Sequence, residues 1–211
     1  MALQVLLLEH DDVGGLYPFS VTHCSWELRI GAFTILERWQ KAVPTATVSV
    51  TSHRDEHVRS FVARHPSTAS FAPSPTLFVG GHVLLSPSVM RQMTEACNAS
   101  TSPILFFCDG HPFGAFLPEP PETPAAAATT LETMSVDDAT AIEVMGHVIN
   151  RLWQALDHID TAVKWDADLV GDHIDEDASV HETAFIDTAK GPVLVMEGAE
   201  VGPFTVLTGP V

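Results

Sequence analysis

Hydrophobic and polar positions divide the chain into stretches of different period. Residues 4–9 are a Val- and Leu-rich run followed by His10-Asp11-Asp12-Val13-Gly14-Gly15, the pattern of a buried strand entering a glycine-containing loop. Across 28–43, Ile30, Phe33, Ile35, Leu36 and Trp39 fall on one stripe and Pro44 stands behind them, which predicts a helix with Trp26 and Trp39 in the core. Residues 46–51 alternate around Val48 and Val50 as a second strand. A short helix over 57–64 and a third strand over 76–79, backed by Gly80-Gly81, follow. Ser86 or Ser88 caps a helix reaching Ala96. A fourth strand, 104–108, is turned by Asp109-Gly110 into a partner at 113–117. Such alternation of strand and helix predicts a parallel sheet with helices on its faces.

Residues 118–130 are rich in Pro, Ala and Thr, carry no period, and read as a linker. Ser135-Val136-Asp137-Asp138 opens an expected amphipathic helix, continued by Ile142, Val144, Met145, Val148, Ile149 and Leu152 to Trp153, with a further helix over 156–165. The period then changes to six: Ile174, Val180 and Ile186, then, after an insertion containing Gly191-Pro192-Val193, Val195, Val201 and Leu207. Four residues behind most of these anchors stands a small side chain: Ala178, Ala184, Ala199 or Thr205. In a left-handed parallel β-helix each coil is a triangle of short strands. The aliphatic residue fills its narrow interior and the small one turns each corner. The expected organisation is an α/β domain over 1–130, a helical connection over 131–168 and the start of a β-helix over 169–211. Because solenoids need about three or more repeats, the chain is expected to be a piece of a longer protein.

Charge narrows the partners. The chain has 27 acidic residues against 10 Lys and Arg, a net charge of −17, which repels nucleic acid and anionic lipid alike. Few lysines beside many carboxylates also fit adaptation to high salt, where screening relieves self-repulsion. The acidic run from 166 to 187 is expected on a solvated outer face. No apolar run approaches the ~20 residues that span a bilayer. Cys24, Cys97 and Cys108 form no disulfide or metal framework, which predicts a reduced, cytoplasmic setting. The eleven histidines show no compact ligand spacing; His53 and His57 read as an exposed pair and His181 as an outer residue of a coil.

Four short segments carry a family resemblance: Leu8-Glu9, Leu16-Tyr17-Pro18-Phe19-Ser20, Leu28-Arg29-Ile30-Gly31 and Ile149-Asn150-Arg151-Leu152-Trp153. With the hexapeptides behind them, the chain resembles the sugar-phosphate nucleotidylyltransferases with a C-terminal β-helix. That family includes the bifunctional N-acetylglucosamine-1-phosphate uridylyltransferase/acetyltransferase, and the likeness is closer to a divergent bacterial group of sugar nucleotidyl transferases. The resemblance implies a nucleotidyltransferase-like α/β domain, a nucleoside triphosphate and a sugar 1-phosphate as substrates, Mg²⁺ as cofactor, and a homotrimer through the β-helix. For that activity the candidate nucleotide and substrate contacts in this chain are Glu9, Gly14, Gly15, Tyr17, Gly80 and Gly81, the candidate metal ligands Asp11 and Asp12, and the candidate catalytic cation Arg29.

The departures bear on chemistry. The family's first loop reads G-x-G-T-R; aligned on Leu16-Tyr17-Pro18, its Arg falls on Gly15 and its earlier glycines largely on Asp11-Asp12-Val13. The Pro-Lys pair falls on Cys24-Ser25, and the metal-binding Asp on Gly81. Phosphoryl transfer needs cations and a bridging metal. Three readings stay open: Arg29 and the acids near Glu9 replace the lost groups, the domain binds nucleotide or sugar without chemistry, or it is a scaffold for the β-helix.

Overall fold

The computed structural model describes residues 3–9, 13–119, 122–124, 134–135, 137–171 and 173–211. The expected metal ligands Asp11 and Asp12, and most of the 118–130 linker, lie outside these residues. The first apolar run forms a central strand. β1 (Gln4–Leu8) lies between β4 (Thr47–Thr51) and β5 (Thr76–Gly80), parallel to both, with Leu8 level with Thr51 and Gly80. β5 pairs antiparallel with β8 (His111–Leu117), β8 antiparallel with β7 (Ile104–Cys108), and β7 in parallel with β9 (Thr140–Glu143). The result is a six-stranded sheet in the order β4-β1-β5-β8-β7-β9. β8 runs against the other strands, so the expected parallel sheet is a mixed one. The cause is local: Asp109 (φ 51°) and Gly110 (φ 74°) both take positive φ, the conformation of a tight hairpin turn, which returns the chain antiparallel.

From β1 the chain crosses to β4 on one side, then through α2 (Asp55–Arg64) to β5 on the other, so the strand order reverses at β1. Val5, Leu7, Leu77 and Val79 face the main core with Trp26, Trp39, Met90 and Met93. Leu6 and Phe78, on the alternate face, join Leu117 in a smaller cluster.

The helix expected over 28–43 is shorter. α1 (Ile35–Ala42) starts at a capping box in which the Glu37 N–H donates to Thr34 Oγ1 and the Thr34 N–H donates to Glu37 Oε2. Before it, β2 (Arg29–Ile30) and β3 (Phe33–Thr34) form a hairpin around Gly31, whose φ of 81° a helix cannot hold.

The amphipathic helix expected from Ser135 to Trp153 is not formed among the described residues either. There the chain makes β9 and β10 (Gly146–Val148), the latter antiparallel to β6 (Val83–Leu85). Ile142, Val144 and Val148 satisfy a period of two as well as a helical one. The open edge of β7 supplies backbone partners that settle the choice for β-branched residues. Helices appear only at α4 (Gln154–Asp157) and α5 (Ile159–Val170), while α3 (Pro87–Ala99) is capped by Ser86 as expected.

α5 is latched to the hairpin by a buried ion pair. Arg38 donates from Nε to Asp166 Oδ1 (2.8 Å) and from Nη2 to Asp166 Oδ2 (3.0 Å) and the Ile30 carbonyl (2.6 Å). The Ala32 N–H donates to Asp166 Oδ2 at 2.8 Å, and neither side chain of the pair is exposed. The acidic run thus begins with a buried residue rather than on a solvated face. The acid had a partner 128 residues upstream, invisible to local pattern.

In the repeat, β11 (His173–Ile174), β12 (Ser179–Val180) and β13 (Phe185–Asp187) pair in parallel with β14 (Leu194–Val195), β15 (Glu200–Val201) and β16 (Val206–Thr208). Each partner lies twenty-one residues on: 173 with 194, 179 with 200, 185 with 206. Ile174 stands opposite Val195, Val180 opposite Val201, and Ile186 opposite Leu207. Val195 is buried, whereas Ile174 is half exposed. Among the described residues no helix is long and apolar enough to cross a membrane.

Candidate functional site

In doubly wound sheets, ligands bind outside the carboxyl ends of the strands where the strand order reverses. Here that edge is made of Leu8-Glu9, Thr51-Ser52 and Gly80-Gly81. The Glu9 N–H donates to the Thr51 carbonyl (3.0 Å) and the Gly81 N–H to the Leu8 carbonyl (2.7 Å), extending the pairing just past the strands. Two segments cover the edge. One is loop 13–17, whose Gly14–Leu16 forms a single 3-10 turn. The other is 149–152, held by Ile149 N–H to the His82 carbonyl (3.0 Å) and Leu152 N–H to the Gly15 carbonyl (3.1 Å). A side chain at Gly15 would collide with the Asn150 carbonyl, so these segments approach only because residue 15 is glycine. At Gly81 a β-carbon would lie 2.7 Å from Ser25 Oγ, and the turn at 25–27 fills that space.

Glu9 is buried and saturated by protein. It accepts from Ser25 N–H (2.8 Å), Ser52 Oγ (2.6 Å), Arg54 Nε (2.8 Å) and Arg54 Nη2 (2.7 Å). Burial by itself would raise its pKa. The hydrogen bonds from Arg54, Ser52 and Ser25, with the charge of Arg54, outweigh burial and hold the carboxyl below its ordinary value. Arg54 is used up as well, since it also donates to the Ser20 and His23 carbonyls. Burial first, then the charges of Glu9 and Glu27, push the Cys24 thiol up to about 12, so it stays protonated and is no nucleophile.

The structure thus gathers Glu9, Gly15, Gly80 and Gly81 at one edge, with Gly14 in the turn above and Tyr17, 70% exposed, at the end of that turn. Arg29 is engaged elsewhere. On the β2–β3 hairpin it pairs with Glu37 at 3.1 Å and donates to the Ala32 carbonyl. Sequence reasoning missed Ser52 and Arg54. Their signal was positional: Ser52-His53-Arg54 follows β4 just as Glu9 follows β1.

For a divalent cation the described edge is a poor host. No three His, Cys, Asp or Glu side chains gather to hold an ion among the described residues. Glu9 has no lone pair to spare, and Gly81 offers neither a carboxylate nor room for one. The described residues do not fit a protein-held Mg²⁺.

A separate cleft of about 550 Å³ lies between α3, β9 and α5, walled by Met93, Phe106, Val144 and Trp165 and edged by Glu143 and Asp168. Its carboxylates oppose a phosphate. Nearby, the His147 ring stacks on His158 (3.9 Å between centroids) and Trp165 (5.9 Å). Burial, then the charge of His158, lowers the His147 pKa.

An open α/β sheet holds its ligand crevice outside the carboxyl ends of the strands where their order reverses, and Gly80 and Gly81 stand at that edge here. Residues 5–173 match the sugar nucleotidyl transferase family, and the chain belongs to that family. Its fold is similar to that of a Bacillus anthracis protein described as a glucose-1-phosphate thymidylyltransferase, solved at 2.76 Å in complex with a sucrose. The TM-score is 0.51 at 10% identity, covering 76% of this chain and 95% of the other. No curated protein matches the sequence.

Proposed function

We propose that the crevice takes a nucleoside triphosphate and a sugar 1-phosphate, and that the chain performs sugar-1-phosphate nucleotidyl transfer. In that reaction a phosphate oxygen of the sugar attacks the α-phosphorus, the bond to the bridging oxygen of the β-phosphate breaks, and nucleotide sugar and pyrophosphate form. The observation that carries this reading is the reversal of strand order at β1, lying within the stretch that matches the family. Backbone N–H groups near Gly14 and Gly15 would cradle phosphates, and Tyr17 offers an exposed ring to a base. Glu9 serves by holding Arg54, and through it the wall formed by 20–25. To act as the catalytic cation, Arg29 must leave Glu37.

Binding without turnover is the second reading, favoured by the saturated Glu9 and the closed space at Gly81. Incubation with each nucleoside triphosphate, a panel of sugar 1-phosphates and Mg²⁺ separates the two. Pyrophosphate release supports transfer, whereas a thermal shift by nucleotide without release leaves binding alone. Neither signal would remove both.

For 173–211 we propose coils of a left-handed parallel β-helix that joins three copies of the chain, supported by the twenty-one-residue offset of its ladders (173 with 194). A monomer mass by sedimentation would overturn the trimer. Three free, buried cysteines support a cytoplasmic setting.

A further inference from the structure

A polyphosphate brings several negative charges to a chain whose own net charge is −17, so its binding site needs a cation that no internal carboxylate has neutralised. Most arginines fail that condition. Arg29 pairs with Glu37, Arg38 with Asp166, and Arg64 with Glu27. Arg54, at the strand ends, gives its donors to Glu9 and to two carbonyls. Arg59 and Arg91 also lack a carboxylate partner among the described residues, but they stand on α2 and α3 rather than on the covering segment 149–152.

Arg151 is different. It lies on the segment that covers the crevice and is exposed, and its guanidinium has no carboxylate partner among the described residues. Its backbone is fixed on all sides: its own N–H donates to Gln154 Oε1 at 2.8 Å, and the next N–H, of Leu152, to the Gly15 carbonyl at 3.1 Å. Its Cδ stands 3.3 Å from the point where a side chain of Gly15 would begin. The loop cannot supply a cation at that point, because the Asn150 carbonyl occupies the space. The side chain beside it can.

We infer that Arg151 is the phosphate-binding cation of the crevice, its guanidinium reaching past Gly15 to the oxygens of the bound phosphates. The inference rests on the reading that the crevice takes a phosphorylated ligand. A planar fork suits phosphate oxygens better than a point charge, and anchored backbone on either side lowers the entropy lost on binding.

Calorimetric titration of the wild type, Arg151→Ala and Arg151→Gln with pyrophosphate, a nucleoside triphosphate and the matching nucleoside tests it. Loss of one charge-assisted contact should weaken both phosphorylated ligands by about ten- to a hundredfold in either variant and leave the nucleoside unchanged. The wild-type affinity for pyrophosphate should fall with added salt more steeply than that of the variants. Variants that bind pyrophosphate as the wild type does would overturn the role of Arg151 while leaving the crevice as a phosphate site. Variants that lose nucleoside equally would also overturn it, showing a loss of structure. A wild type that binds neither pyrophosphate nor triphosphate would overturn this inference and the functional reading together.

Discussion

Glu9 and Arg54 meet through two hydrogen bonds, 2.8 Å from Nε and 2.7 Å from Nη2, that tie the end of β1 to the segment behind β4. Arg54→Ala would leave a fully buried carboxylate without its counter-charge. The expected cost is about 3–5 kcal/mol, read as a lower midpoint in urea. A loss under 1 kcal/mol would show the carboxylate re-solvating, and the wall at 20–25 would then have another support.

The same pair sets an acid limit. The folded state holds Glu9 below its ordinary value of 4.5, so its contribution is complete above that pH and is lost as the pH falls through the lower folded value. Between pH 5 and 3 the wild type should lose stability more steeply than Glu9→Gln, whose side chain does not titrate. Parallel profiles would assign acid unfolding to other groups.

Legibility followed the range of the interactions. The strands over 46–51, 76–79 and 104–108 could be read because their signals are local and apolar. The stretch over 140–148 could not, because its residues fit two periods and the edge of β7, over thirty residues earlier, made the choice. The glycines of the crevice were visible as loop residues, but the burial of Glu9 was not. Its partners Ser25, Ser52 and Arg54 lie 16, 43 and 45 residues away.

Asp166→Asn should open the far side of the domain. It keeps the shape but leaves the Arg38 guanidinium buried without a counter-charge, and Arg38 Nη1 already lacks a partner among the described residues. Amide exchange should accelerate in α5 and in the 29–34 hairpin well before the central strands respond. Uniform acceleration would show that the latch and the sheet unfold as one unit.

His147 titrates below its ordinary 6.5 because it is buried and faces His158. The folded state therefore binds fewer protons here than the unfolded one. This part of the stability is present above pH 6.5 and declines as the pH falls to the folded value. His158→Gln removes the repulsion between the rings, so the His147 imidazole should titrate at higher pH by NMR. An unchanged titration would leave burial as the whole cause.

The net charge of −17 predicts a response to ions. Melting temperature should rise from low salt to molar KCl as screening relieves repulsion among carboxylates. A flat or falling trend would show that the internal pairs, such as Glu9 with Arg54, dominate the electrostatics.

The contact of Gly81 with Ser25 has a bearing on how this sequence can change over generations. Any β-carbon at 81 arrives 2.7 Å from the Ser25 hydroxyl, so a side chain there requires the serine to turn aside or to give way to a residue without that oxygen. An acid introduced at 81 alone meets a crowded corner, which Ser25→Ala beforehand relieves. The two positions are coupled: which substitutions residue 81 accepts depends on what stands at 25.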